Sequence, residues 1–402
     1  MLEGIRVVEL ATYIAAPAAA GIMADWGAEV IKVEPLQGDA IRGMLKNVSA
    51  ANVEGNPIFD MDNRGKRGLA IDLRNDKGAE ALRKLVLSAD VFITNVRPGG
   101  LARAGLDWET LRKEKPELIY ASVTGYGLEG EDQDRPGFDM AAFWARSGVA
   151  SLTAPKGTDP FPLRVGLGDH TTGMATLNGI LGALFDRTRT GKGRLIEASL
   201  LRTGIYSIAS DMAIQLRYGR VASTKSRELA VNALNNFFQC ACGTWLCLLT
   251  RHSGDIFGPI AAALGKPELA KEERFLSAKS RRENAAELVH ILDAEFAKYD
   301  IAEWGRRLDE HDVVWAPVQT PAQVADDTQA QAAGAFVDIP DHAGGTGRSV
   351  ASPVRLPNDD GTTEDRVRGP APGIGEHTAE ILKEIGYDDA GVEALKAAGA
   401  IN

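Results

Sequence analysis

Asp169 stands in the stretch Gly166-Leu167-Gly168-Asp169-His170, just ahead of a run in which Met174, Leu177, Ile180, Leu181, Leu184 and Phe185 recur at helical spacing. A carboxylate there has two uses. As a helix cap it accepts a backbone N–H of the first turn. As a nucleophile in acyl transfer it lies beside unpaired N–H donors, on glycine-framed backbone that a substrate can approach closely. The two uses are compatible, and spacing alone leaves both open. Asp139, in Gly137-Phe138-Asp139, heads a second helix-like run that ends at Gly148 and carries the same pair of readings. Arg74, Asn95, Arg97 and Arg103 fall near the ends of strand-like runs. They read either as ordinary solvated surface groups or as ligands for phosphate at the carboxyl edge of a parallel sheet.

The elements that must position these groups alternate between strand and helix. Residues 5–10 read as a buried strand, Pro17 as the first residue of a helix that stops at Gly27, and residues 29–34 as a second strand. That βαβ unit predicts a parallel sheet. Further strands are expected at 69–73, 90–94, 118–124 and 194–198, with helices at 77–88, 171–187 and 200–218. The first turn lacks G-x-G-x-x-G, so neither a nicotinamide nor a flavin cofactor is predicted. After Tyr218 the composition shifts. Residues 1–218 read as a large domain, 219–232 as a polar linker and 233–321 as a smaller α/β domain. In the remainder, 322–402, a helix is expected at 326–337, a Gly-, Pro- and Asp-rich surface segment over 338–375 and helices thereafter.

The 402-residue length suits two domains. A net charge of −10 with mixed signs along the chain argues against a nucleic-acid partner. No uncharged apolar run approaches a membrane span, and the opening residues lack a secretory pattern. Cys240, Cys242 and Cys247, odd in number and clustered, suit reduced thiols and a cytoplasmic location; with no histidine among them, no metal site is assigned.

Taken together, Val8-Glu9-Leu10 with Ala16-Pro17, the run Gly27 to Glu34, Gly38-Asp39, Asn95-Val96-Arg97-Pro98-Gly99, Gly137-Phe138-Asp139, Gly168-Asp169 and Thr190-Gly191-Lys192-Gly193 before Glu197-Ala198-Ser199-Leu200 resemble the family III CoA-transferases. The likeness runs over essentially the whole chain. The stretches 137–146 and 166–170 are most similar to the subgroup that acts on 2-hydroxy acids and their enoyl relatives, the cinnamoyl-CoA:phenyllactate type. The resemblance implies a Rossmann-like large domain built from both chain ends, with 322–402 returning to it, and an interlocked homodimer. It also implies CoA as substrate rather than as cofactor, bound between the large domain of one subunit and the small domain of the other. Asp169 matches the family's catalytic aspartate, with Asp139 and Gly168 in support. Contacts to CoA fall on Thr12, Ala15, Ile71, Arg74, Asn95, Val96 and Arg103. Arg74 stands where members often carry Lys, which keeps the charge with a different geometry, and Pro35 stands where some carry a basic residue and offers no such phosphate contact.

Two alternatives stay open at this level. An α-methylacyl-CoA racemase-type isomerase needs an acid and a base on opposite faces of the α-carbon. That branch has His-Asp where this chain has Phe138-Asp139, and Phe138 carries no proton, which leaves His170 as the substitute. A catalytically inactive CoA-binding protein is the other alternative, and the retained Asp169 weighs against it.

Overall fold

The computed structural model describes residues 1–44, 55–251, 255–342, 344–363 and 367–402. The chain divides into two compact units, one comprising 1–150, 161–220 and 332–402 and the other 151–160 and 221–331.

In the first unit, β1 (Arg6–Leu10), α1 (Ala15–Asp25) and β2 (Glu29–Glu34) form the opening βαβ unit. They are followed by α2 (Pro57–Asn63), β3 (Arg67–Ala70), α3 (Asp76–Ser88), β4 (Val91–Thr94) and β5 (Ile119–Thr124). Next come α4 (Leu167–Thr190), β6 (Leu195–Ser199), α5 (Leu200–Ser207) and α6 (Ala209–Tyr218). The second unit pairs β7 (Asn236–Gln239), β8 (Trp245–Leu249) and β9 (Val314–Pro317) antiparallel. Its core joins Phe238, Leu246 and Leu248 to Leu288, Leu292 and Phe296 of α7 (Ala285–Phe296) and to Trp304 and Leu308 of α8 (Ile301–Glu310). The chain then adds the hairpin β10 (Phe336–Pro340) and β11 (Thr346–Val350), and helices α9 (Thr378–Glu384) and α10 (Asp389–Ala397), to the first unit.

The six parallel strands of the first unit lie in the order β3-β2-β1-β4-β5-β6. This is the Rossmann order, reversing between β1 and β4. Alternate residues along each strand feed opposite faces, as the period of two requires. Val8, Ile31 and Phe92 pack with Leu82 and Leu85 of α3 and with Ile381, Leu382 and Leu395 of α9 and α10. Val7, Val30 and Ile93 pack with Ala16, Ala19 and Met23 of α1 and with Leu177 and Ile180 of α4. The small residues of α1 allow close approach of α4. A Cβ on Gly173 would come within 2.8 Å of the Ala15 carbonyl oxygen.

Several elements differ from the pattern expected. Helix α1 begins at Ala15, so Pro17 is its third residue. The missing N–H costs nothing there, because the first four helical N–H groups have no intrahelical partner. Residues 139–145 wind as a π-helix, and the helix expected over 200–218 is interrupted at Ile208, between α5 and α6. The third strand is 67–70 rather than 69–73, and the helical reading of 326–337 stops at Ala332, before β10. Periodicity also predicts a helix at about 253–264; residues 253–254 lie outside the described residues, and the helix seen is Gly258–Ala263. Among the described residues no helix is long and apolar enough to cross a membrane.

A buried charge network props the turn after β1. Lys32 Nζ donates to Glu9 Oε1 (3.1 Å) and Asp39 Oδ2 (3.0 Å), and Lys66 Nζ to Glu9 Oε2 and Asn63 Oδ1. Asp39 Oδ1 accepts the backbone N–H of Tyr13, whose φ of 65° is in the left-handed region. Burial opposes the Lys32 charge, but Glu9, Asp39 and Glu34 outweigh it and hold the pKa above its ordinary value. Lys32→Met leaves the Asp39 carboxylate buried without its counter-ion. The expected cost is about 3–5 kcal/mol, read as a fall in the urea midpoint.

Candidate active site

At the point where the strand order reverses, the carboxyl ends of β1 and β4 diverge and open a crevice. Asn95, just past β4, clamps the turn after β1: its Oδ1 accepts the Thr12 N–H (3.1 Å) and its Nδ2 donates to the Thr12 carbonyl (2.7 Å). A cavity of about 530 Å³ opens here. Thr12, Ala15, Asn95, Asp139 and Asp169 line it, together with Tyr13, Phe138, Met140, Val165, Gln133, Arg97, Arg135 and Arg164. A second hollow of about 320 Å³ lies over the ends of β1, β2 and β3 and is lined by Thr12, Pro35, Ile71, Arg74 and Val96. Arg103 lines neither.

The helix that carries Asp169 starts earlier than its periodicity indicated. Gly166, at φ 91°, is the residue before the first turn, and Asp169 is the third residue of α4. The carboxylate that satisfies this helix end belongs to Asp139. Its Oδ2 accepts the N–H groups of Gly166 (3.1 Å) and Gly168 (3.2 Å). Asp139 is thus a cap for a helix almost thirty residues further along the chain, while its other oxygen, Oδ1, is buried without a partner. Asp169 is released from capping. Its carboxylate makes no hydrogen bond to the described residues and faces the cavity.

Burial of Asp169, then the negative charge of Asp139 and to a smaller extent that of Asp62, push its pKa up to about 7, against a lowering by His170. Burial also raises Asp139, although the backbone N–H groups it accepts pull the other way. Two carboxylates in one corner titrate as a pair. Gly168 has no room for a side chain: a Cβ would lie 2.2 Å from Asp139 Oδ1 and 2.3 Å from the Phe143 ring. Phe143 and Trp144 are core side chains packed with Val149 and Leu200, whereas Met140 lines the cavity.

Arg74, expected to meet phosphate, is paired with Asp72 through Nε (3.0 Å) and Nη2 (3.1 Å) while remaining largely exposed. Arg135, Arg164 and Gln133 were not singled out from sequence. They sit in loops with no periodicity, and only the fold brings them to the cavity. His170 is not among the lining residues, and Phe138 packs edge-on against Tyr13 with ring centroids 5.5 Å apart. No acid–base pair flanking a substrate α-carbon is formed by these two.

A carboxylate free of capping duty, in a crevice at the carboxyl edge of a doubly wound parallel sheet, marks an α/β protein whose ligand site lies at the topological switch point. The family model described as CoA-transferase family III matches residues 2–378, and the chain belongs to that family. It is 35% identical over 399 residues to (R)-2-hydroxy-4-methylpentanoate CoA-transferase of Clostridioides difficile, covering 98% of each chain. It is 32% identical to cinnamoyl-CoA:phenyllactate CoA-transferase of Clostridium sporogenes, covering 98% of this chain and 96% of that one. Among solved structures it is similar to a CAIB/BAIF family protein from Brucella suis, with a TM-score of 0.82, 31% identity, and coverage of 96% of this chain and 99% of that one. The protein is a CoA-transferase.

Proposed function

We propose that the protein moves CoA from an acyl-CoA donor to a carboxylic acid through covalent intermediates on Asp169, and that its acids are 2-hydroxy acids and their enoyl relatives. The carrying observation is the division of labour at the head of α4: Asp139 caps the helix, and Asp169 points unengaged into the cavity. An Asp169 oxygen attacks the thioester carbonyl, the C–S bond breaks, and CoA leaves as thiolate from a mixed anhydride. The thiolate then attacks the Asp169 carbonyl of that anhydride, freeing the donor acid and leaving an aspartyl-CoA thioester. The acceptor carboxylate attacks this thioester to give a second anhydride, and the thiolate attacks its acceptor carbonyl, restoring Asp169. Desolvation strengthens the nucleophile and keeps water from the anhydrides.

Asp139 and Gly168 support this chemistry by fixing the turn. Thr12, Ala15 and Asn95 at the first cavity, with Ile71, Arg74 and Val96 at the second, are the proposed CoA contacts. Arg103 keeps only its place beyond β4 in favour of such a role, and the Asp72 partnership weakens the case for Arg74. The apolar walls Tyr13, Phe138, Met140 and Val165 suit acids with an apolar side chain, and the names of the relatives point the same way. An interlocked homodimer is part of the proposal. Helix α6 buries none of its residues, yet exposes the apolar side chains of Ile214, Leu216 and Tyr218, which a second copy would cover. Three free cysteines accord with a cytoplasmic location.

Trapping with hydroxylamine after incubation with acyl-CoA, read by peptide mass spectrometry, tests the proposal. Transfer gives a modified Asp169, whereas an isomerase gives α-proton exchange without adduct and an inactive binder gives neither. The pH dependence follows from the raised pKa. Only the ionised carboxylate attacks, so kcat/KM should climb through about pH 7 and fall about tenfold per unit well below it. A steady-state profile with an acid midpoint in the ordinary carboxylate range would contradict this.

A further inference from the structure

His170 follows the proposed nucleophile directly, and the chemistry above leaves it unused. Its ring lies between the first turn of α4 and helix α2. Nδ1 is 2.8 Å from the Gly166 carbonyl oxygen, and Nε2 is 3.2 Å from Asp62 Oδ1. A carbonyl oxygen cannot donate, so Nδ1 bears a hydrogen. Where Asp62 Oδ1 is the acceptor of the second contact, Nε2 bears the other. A ring protonated at both positions is an imidazolium. The second Asp62 oxygen is buried without a partner, which leaves the ring as the only hydrogen-bonding cation at this carboxylate among the described residues.

The charges around the ring come from three elements. Asp62 approaches from α2, Asp139 from the π-helical segment, and Asp169 lies on the same helix as the ring. Behind Asp62, the Lys66 ammonium is engaged by Glu9. Asp62 and Asp139 both disfavour a negative charge on Asp169, and His170 alone among the groups acting on Asp169 opposes them.

We propose that His170 is held as an imidazolium between Asp62 and the Gly166 carbonyl, and that this charge keeps the neighbouring Asp169 carboxylate ionised for attack. His170 is therefore a positioning residue that acts through Asp169, and the inference rests on Asp169 being the nucleophile. Burial works against the charged ring, but the hydrogen bond and charge of Asp62 outweigh it and raise the pKa.

The test compares kcat/KM against pH for the parent and His170→Gln. The acid limb is expected to move up by about one pH unit, with about tenfold loss near pH 6 and a plateau within about threefold of the parent near pH 9. A loss equal at every pH, with the limb unmoved, overturns the proposal and leaves His170 a structural clamp. Should His170→Gln fail to fold, 15N NMR of the parent's six histidines decides. One ring must stay doubly protonated above the ordinary histidine value, and titration of all six at or below that value overturns the proposal. Adduct formation on the parent is read separately. An adduct with an unmoved limb sinks this inference alone, whereas a missing adduct sinks the aspartyl reading and, with it, the role assigned to the ring.

Discussion

Asp169→Ala lowers CoA transfer by at least about a thousandfold and leaves the protein folded; that is the expected result if the carboxylate is the covalent partner. The geometry makes the two halves of the expectation separable. A carboxylate in the first turn of a helix is ordinarily worth something to stability, because it meets unpaired N–H groups. Here those groups are taken by Asp139, and the Asp169 carboxylate is strained by burial beside a like charge. Its removal should change the thermal midpoint little or even raise it. The measurement is paired: initial rates with an acyl-CoA and an acceptor acid, and thermal unfolding of the same preparation. Asp169→Asn serves as the isosteric control. Transfer within tenfold of the parent by either variant refutes the covalent route.

Gly168→Ala should cost about a hundredfold in transfer and roughly 1–3 kcal/mol in stability. Helix propensity predicts the opposite sign, since alanine in a helix is favoured over glycine by about 1 kcal/mol. Packing decides. The added methyl would lie 2.2 Å from Asp139 Oδ1 and within 2.5 Å of two Phe143 ring atoms. The ring is buried in its own cluster and the carboxylate is pinned to two N–H groups, so the turn itself must move. That displacement carries Asp169 with it. A Gly168→Ala variant that is more stable and fully active would mean that the contact relaxes freely.

The parallel sheet was legible because its strands are short apolar runs separated by amphipathic helices, and a βαβ unit leaves one sensible pairing. Asp169 was legible because glycines frame it. The role of Asp139 was not, since the helix it caps begins 28 residues later and no local spacing links a carboxylate to a distant helix end. The same holds for His170 and Asp62, which are 108 residues apart. The structure buries Lys32 and Lys66 against Glu9, whose place in an apolar strand is the one signal of this in the sequence. The π-helical turn at 139–145 was read as an α-helix because its apolar residues, Ala142, Phe143 and Trp144, suit either winding.

The layer that covers one face of the sheet is finished by Ile381, Leu382 and Leu395, and Asp72 gives its N–H to the carbonyl of Ala400. On the ribosome these residues emerge only after the whole of the second unit. From the last strand of the sheet, β6, which ends at Ser199, to α9, synthesis takes on the order of tens of seconds. Through that interval Val8, Ile31 and Phe92 wait under an incomplete roof. The nascent chain therefore carries a long-lived sticky surface, and its yield in cells should depend on chaperone supply more than its final stability would suggest.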